Sequence, residues 1–377
     1  MSISISDSYQ NERVLVWSQR NIQNYIFNSC LYEFEDLIQS VDCTNLISPP
    51  QYNLWEKGIR KAIKNYTKYF KELAYTNPYF DRLYLDQKYD LFFSIIDFPY
   101  NLSSINLLKN WRKNCQVAVC YIIEIWHHDL PKLKNFIKFF QSFDLICLGH
   151  SQIVKDVEKI VGRPCIYLPP GVDAVKFHPH SQDSRAIDLC SLGRRSNPTH
   201  QALLKLAEQE NFFYYYDHIV GGDLRIKEYQ AHRTLIANLL KNSRYFITNR
   251  AKVNEPEQTK GQIEIGYRFF EGAAAGNILL GCPPNNAAFK QYFDWESAVI
   301  PIPFDEPKIG NIIAELDKNP EQLATIRRNN VVNSLAKHDW VYRWEEVLNQ
   351  VGMSTTPAIQ KRKAYLHQLA LGYQARA

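Results

Sequence analysis

The stretch GQIEIGYRFFEGAAAGNILLG, residues 261–281, carries the reading of the fold. A run of small residues, Gly272 to Gly276, leads directly into the apolar run Ile278 to Leu280. Small side chains let a helix lie close against a sheet, and a glycine just past the last helical residue supplies the left-handed cap. The pattern predicts a short helix near 267–275, a stop at Gly276 and a buried strand Ile278 to Gly281. Glu271 falls on that helix, whose N-terminus opens into the loop 254–266. Such a helix start favours anionic groups such as a diphosphate, and a carboxylate beside it suits a bidentate grip on sugar hydroxyls. On spacing alone, Glu271 is equally a solvated residue of a tightly packed α/β unit.

The same alternation extends in both directions. Continuous apolar runs, as expected for strands covered on both faces, fall at Val14 to Ser18, Leu91 to Ile96, Val117 to Ile123, Leu145 to Leu148 and Cys165 to Leu168. Helical patterns lie between them near 53–74, 102–112, 131–141 and 151–161. YLPPGVDAVKFHPHSQDSRA, 167–186, breaks the pattern with prolines, a glycine and a polar run, and reads as a linker. Strands then resume at Ile187 to Leu192, Phe212 to Tyr216, Tyr245 to Thr248, Ile278 to Gly281 and Val299 to Pro301, with helices near 199–209, 226–242, 267–275, 307–318 and 321–336. The expected fold class is α/β, with two Rossmann-like domains facing across a cleft. The divisions are an N-terminal domain over 1–172, a linker over 173–186, a C-terminal domain over 187–340 and closing helices over 341–377. Ligands of such sheets bind at the carboxyl ends of the strands.

Composition excludes several classes. The chain has 377 residues, 45% hydrophobic and 22% charged, which is ordinary for a globular protein. Its net charge of +5 is spread over both halves, so no basic arm for nucleic acid is expected. No apolar run approaches membrane-spanning length, and the N-terminus lacks the basic and apolar regions of a signal peptide. The cysteines form no C-x-x-C pair and several lie inside apolar strands. They read as buried free thiols of a reducing compartment, and the expected location is cytoplasmic.

At this point the sequence resembles a known family. RFFEGAAAGNILL resembles the helix–strand element of GT-B nucleotide-sugar glycosyltransferases of the group-1, family-4-like type, closest to the CgeB-type spore-maturation branch. YLPPGVDAVKF (167–177) is similar to their NGVD linker. DLCSLGRRSNPTHQALLKLAE (188–208) is similar to the first strand and phosphate loop of their C-terminal domain. HDWVYRWEEVL (338–348) is similar to the start of their closing helix. The resemblance implies the GT-B fold and transfer of a sugar from a UDP- or GDP-type donor, with retention of configuration. Glu271 matches the second carboxylate of the family's paired-glutamate motif, which contacts ribose. The first position falls on Ile263, so Glu264, one residue late, or Gln262, one residue early, is left to reach the donor sugar. Gly193, Arg194 and Arg195 match the diphosphate loop, where a guanidinium fork suits phosphate. Arg268 is a further phosphate or structural cation.

In the first half, polar residues at the end of Val117 to Ile123 face the cleft. The resemblance implies a donor-sugar contact from His127, with His128 second; helix capping by Asp129 is the alternative. Asp97, at the end of Leu91 to Ile96, is another cleft candidate. His178 and His180 mimic a metal pair without a third ligand. No obvious Asp-x-Asp pair ends a strand, so neither a metal nor another cofactor is expected. Expected catalytic residues are His127 and Glu264; the donor set is Gly193, Arg194, Arg195, Gln262, Arg268 and Glu271. The acceptor stays open between a glycan, a lipid-linked molecule and a small molecule, in polysaccharide or glycoconjugate synthesis. Helix 54–73 places Lys57, Lys61, Lys64, Lys68 and Lys71 on one face opposite Ile59, Ile63, Tyr66, Phe70 and Leu73. That is a solvated surface helix or a contact with anionic lipid at the inner face of the membrane. The alternatives to a transferase are a sugar-nucleotide epimerase of the same fold and a non-catalytic nucleotide-sugar-binding protein.

Overall fold

Among the described residues, eleven strands form two wholly parallel sheets. The computed structural model describes residues 12–66, 82–179, 184–217 and 225–375. The first sheet holds β1 (Val14–Trp17), β2 (Thr44–Ile47), β3 (Tyr89–Ile96), β4 (Cys115–Ile122), β5 (Leu145–Leu148) and β6 (Cys165–Tyr167), in the order β2-β1-β3-β4-β5-β6. The second holds β7 (Ile187–Ser191), β8 (Tyr214–Tyr216), β9 (Ser243–Ile247), β10 (Ile278–Gly281) and β11 (Ile300–Pro301), in the order β11-β10-β9-β7-β8. Both orders reverse direction once, between β1 and β3 in the first sheet and between β7 and β9 in the second. A crevice opens beyond the carboxyl ends at such a reversal.

The strands are apolar because both faces are covered: β1 is fully buried, as are Leu91 to Phe93 of β3 and Val119 to Ile122 of β4. The small-residue run does what its composition predicts. The helix Tyr267–Ala274 ends at Gly276, whose φ is +66°. A Cβ on Gly272 would lie 2.6 Å from Leu279 and Phe246, so only glycine lets this helix sit so close to β9 and β10.

The structure adds elements that the sequence pattern passed over, chief among them the helix Ser29–Val41 and strand β2, with the short helices Pro256–Thr259 and Ala287–Tyr292. It also breaks up two expected helices. Residues 102–112 fall partly in a 3-10 run, Pro99–Leu107, and 131–141 is divided into short turns. The linker is not solvated throughout: Leu168 and Val172 are fully buried, and Val172 pairs with Asp339 ahead of the short helix Ala174–Phe177. The helices Trp340–Gln350 and Pro357–Gln374 then return to the first sheet. Trp340 stacks on Phe34 at 4.6 Å, Trp344 meets Phe93 edge-on, and its indole N–H donates to Asp42 at 3.0 Å. Of the expected helix 53–74, Leu54–Tyr66 is described; Lys68, Lys71, Phe70 and Leu73 lie outside the described residues, as does His180. Among the described residues, no helix is long and apolar enough to cross a membrane.

Candidate functional site between the two sheets

The carboxyl ends of the two sheets face one another and are joined by polar contacts. From the first sheet come the residues after β4 and β5. Glu124 pairs with Lys252 of the second unit at 2.7 Å and accepts from the Trp126 indole at 2.6 Å. Lys252 also lies 4.7 Å from the centre of the Trp126 ring. Burial pushes the Glu124 carboxyl up, but Lys252 and His150 outweigh it and hold it below the usual range. His150 is buried, 2.8 Å from the Ile125 carbonyl and edge-on to Trp126.

Glu264 and Gln262 form a clasp between the two units. One Glu264 oxygen accepts from the Ser151 N–H at 2.8 Å and its hydroxyl at 3.0 Å; the other accepts from the Gln152 N–H at 3.0 Å and from Gln262 at 2.9 Å. Glu264 is 0% exposed. Gln262 accepts from the His127 backbone N–H at 2.9 Å and donates to the Ile125 carbonyl. Both expected sugar contacts thus bridge the second unit to the first. The reason is chemical: the exposed N–H groups of Ser151 and Gln152, ahead of the helix Val154–Val161, need acceptors. Ile263 turns its N–H to Gln152 and its carbonyl to Asn286.

Glu271 is likewise bound within the protein. It is 2% exposed, and its two oxygens are held by Arg233 and by Arg268, the latter at 2.7 Å. Arg233, from the helix Tyr229–Lys241, reaches across to Glu33 of the helix Ser29–Val41 at 2.9 Å. Burial raises the Glu271 carboxyl, but Arg268 and Arg233 overcome it and bring it down to about 2. This carboxylate sits in a buried chain of ion pairs linking the units, each of its oxygens engaged by an arginine. Arg268, paired with Glu271, remains partly exposed.

The loop Gly193 to Arg195 follows β7, as the sequence pattern placed it. The Gly193 N–H donates to Asp217 at 2.9 Å. Arg194 pairs with Glu255 at 2.6 Å and is half-exposed. Arg195 pairs with Asp217 and lies over the Tyr216 ring at 5.3 Å. Arg250, after β9, donates to the Cys282 thiol at 2.7 Å. The buried Thr248 hydroxyl at the same strand end has no partner. A small cavity of about 10 Å³, room for one water, is lined by Arg195, Ser196, Thr199, Asn249 and Phe304 among others. A larger hollow of about 720 Å³, between Ser40–Cys43 and Thr355–Ala358, opens near the amino end of β1, away from the crevices.

His127 follows β4, as predicted, but its ring points to Asp156, 3.7 Å away on the helix Val154–Val161. His128 bridges to the Gln258 carbonyl at 2.6 Å. Asp97 is 4% exposed at the end of β3, where burial raises its carboxyl against hydrogen bonds from Asn101, the Phe98 N–H and Asn28. His178 contacts the Val175 carbonyl, and among the described residues no cluster could hold a metal ion. The residues that sequence reasoning passed over are Glu124, His150, Lys252, Arg233 and Glu33. His150 carries the same signal that selected His127, a polar residue directly after an apolar strand.

Residues 198–349, from the helix after β7 through the helix Trp340–Gln350, match the glycosyl transferase-like family model. No curated protein matches the chain. Solved structures do. HepE of Anabaena in complex with UDP-glucose aligns over 90% of this chain and 99% of its own, at 12% identity and a TM-score of 0.53. An alpha-glucosyltransferase in complex with UDP-glucose and DNA containing an abasic site aligns over the same shares at 12% identity and 0.51. At these identities the likeness is one of fold. The second half of the chain is thus similar to a glycosyl transferase-like domain over residues 198–349, and the whole has the two-sheet GT-B fold.

Proposed function

We propose that this GT-B glycosyltransferase moves a sugar from a UDP- or GDP-type nucleotide sugar to an acceptor, the donor held mainly by the second unit and the acceptor by the first. The observation that carries this reading is the crevice between β7 and β9, edged by Arg194, Arg195, Arg250 and Lys252 and faced by the carboxyl ends of the first sheet. In the structure these cations rest on Glu255, Asp217, Cys282 and Glu124. A diphosphate offers more negative charge and better fork geometry than any one of these partners. Arg194, the most exposed, is placed to exchange first. Guanidinium groups and backbone N–H groups would then meet the charge developing on the leaving diphosphate, so the reading includes turnover without a divalent ion. Retention of configuration enters through the family resemblance.

A second reading has one specific observation behind it: Glu264, Gln262 and Glu271 are all engaged in structural bonds. That favours a protein that binds nucleotide sugars without turning them over. Incubation with radiolabelled UDP- and GDP-sugars, with and without EDTA, separates the cases. Release of nucleoside diphosphate that survives EDTA supports transfer. Binding without release supports the second reading, and a changed sugar without release identifies an epimerase. Activity lost in EDTA and restored only by Mn²⁺ removes the metal-free part.

A further inference from the structure

We infer that the Glu124–Lys252 pair is an exchangeable bridge between the two units. An incoming nucleoside diphosphate draws the Lys252 ammonium off Glu124, so a carboxylate of the first unit is freed only when the donor is bound. The inference rests on the donor reading above. Its basis is the turn 252–255, which follows β9 and Arg250. The Glu255 N–H donates to the Lys252 carbonyl at 3.0 Å and closes the turn. Lys252, at one end, meets Glu124 of the first unit at 2.7 Å. Glu255, at the other, meets Arg194 of the loop after β7 at 2.6 Å. One short turn thus runs from the Gly193–Arg195 loop to the strand end of the first sheet. An anion at that loop competes with Glu255 for Arg194 and with Glu124 for Lys252.

An exposed ion pair is by itself an ordinary surface feature. Three observations set this one apart. Lys252 has a φ of +49°, a left-handed conformation that a lysine rarely occupies and that persists only where its surroundings hold it. Its side chain is 14% exposed and lies 4.7 Å from the centre of the Trp126 ring, so the first unit holds the ammonium through both Trp126 and Glu124. Lys252 and the Trp126 indole both meet the same oxygen of Glu124, Oε1, and the Glu124 side chain stays 29% exposed, facing the crevice.

A lysine carries its charge on a flexible stem with three rotatable donors, so it changes partners without moving its backbone. A diphosphate carries more negative charge than one carboxylate, and Coulomb attraction grows in proportion. On release, Glu124 loses its nearest cation. Burial raises its carboxyl, and Lys252 is the largest influence against burial, ahead of His150. Tyr100 and Tyr267 face the same carboxylate and bring no positive charge. Freed of Lys252, Glu124 therefore takes a proton, or a hydrogen bond from a hydroxyl, more readily than in the free protein. Donor binding at the second unit thereby alters the chemistry of the first.

Calorimetric titration of UDP and GDP into the whole chain and its variants tests the exchange. Glu124→Gln keeps an acceptor for Trp126 and removes the competing charge. It should tighten binding of whichever nucleotide the wild type takes by roughly fivefold, the scale of one partly exposed ion pair. A gain of affinity cannot arise from damage to the fold. Lys252→Met should weaken binding by roughly tenfold, the scale of a hydrogen bond to a charged group, and Lys252→Arg should restore most of it. In the Lys252→Met background Glu124→Gln should bring no gain, because Glu124 acts on the nucleotide through Lys252. The nucleotide should also change the tryptophan emission of the wild type as the ammonium leaves the Trp126 ring, and this change should be absent from Lys252→Met. Equal affinity of wild type and Glu124→Gln, a gain that persists without Lys252, or an emission change that persists without it refutes the exchange and leaves the donor reading in place. No binding of UDP or GDP by any of these proteins removes the donor reading and the exchange with it.

Discussion

Glu271→Gln decides whether that carboxylate is a ligand contact or a structural charge. The amide keeps the shape and removes the charge from a side chain that is 2% exposed and held by Arg233 and Arg268. A carboxyl lowered from 4.5 to about 2 is stabilised by about 3 kcal/mol in the folded state, at ~1.4 kcal/mol per unit. Losing one partner of a buried ion pair costs on the order of 3–5 kcal/mol. Arg233 keeps Glu33, so the lower end, about 3 kcal/mol, is expected. Urea unfolding followed by circular dichroism measures it. The folded carboxyl titrates below the unfolded one, so its contribution is complete above pH 4.5 and fades as pH falls toward about 2. The gap between wild type and variant should therefore stay constant from neutral pH down to the region of 4.5 and narrow below it. Calorimetric titration of the folded variant should show unchanged UDP affinity. An unaltered unfolding midpoint together with lost UDP and UDP-sugar binding would refute the reasoning and return Glu271 to the ribose.

Other outcomes follow from the same geometry. Glu264→Ala leaves the Ser151 and Gln152 N–H groups without their acceptor, and should cost about 1–3 kcal/mol and enlarge the radius of gyration in X-ray scattering; an unchanged radius removes its role as a clasp. Arg194→Ala with Arg195→Ala should weaken UDP binding by roughly ten- to a hundredfold, from about 1.5–3 kcal/mol for a hydrogen bond to a charged group. Equal UDP affinity in the folded double variant sinks the diphosphate loop. In the helix Leu54–Tyr66, Leu54 and Trp55 are 84% and 80% exposed beside the exposed Lys57 and Lys61. Lys57→Glu with Lys61→Glu should lower co-sedimentation with phosphatidylglycerol vesicles and leave phosphatidylcholine unaffected; no retention of the wild type by either vesicle rules out the membrane contact.

The parallel α/β architecture was legible because its signals are local. A strand covered on both faces is a continuous apolar run wherever it goes, and β5 and β10 lie at the predicted residues. The stop at Gly276 depends on one residue's backbone. β2 was lost because TNLI is short and half-buried at the sheet edge, so it shows neither a long apolar run nor a clear alternation. The helix Ser29–Val41 does carry apolar residues at helical spacing, at Leu31, Phe34, Leu37, Ile38 and Val41, and was readable. The roles of the charged residues were not. The sequence placed Glu264 and Glu271 on a loop and a helix beside the crevice. It could not say that one would meet the N–H groups of Ser151 and Gln152, or that the other would meet Arg233, itself held by Glu33. A carboxylate's function depends on what lies within about 3 Å of it. For these side chains the deciding partners come from distant parts of the chain, so only the packing of the two units against each other could assign them.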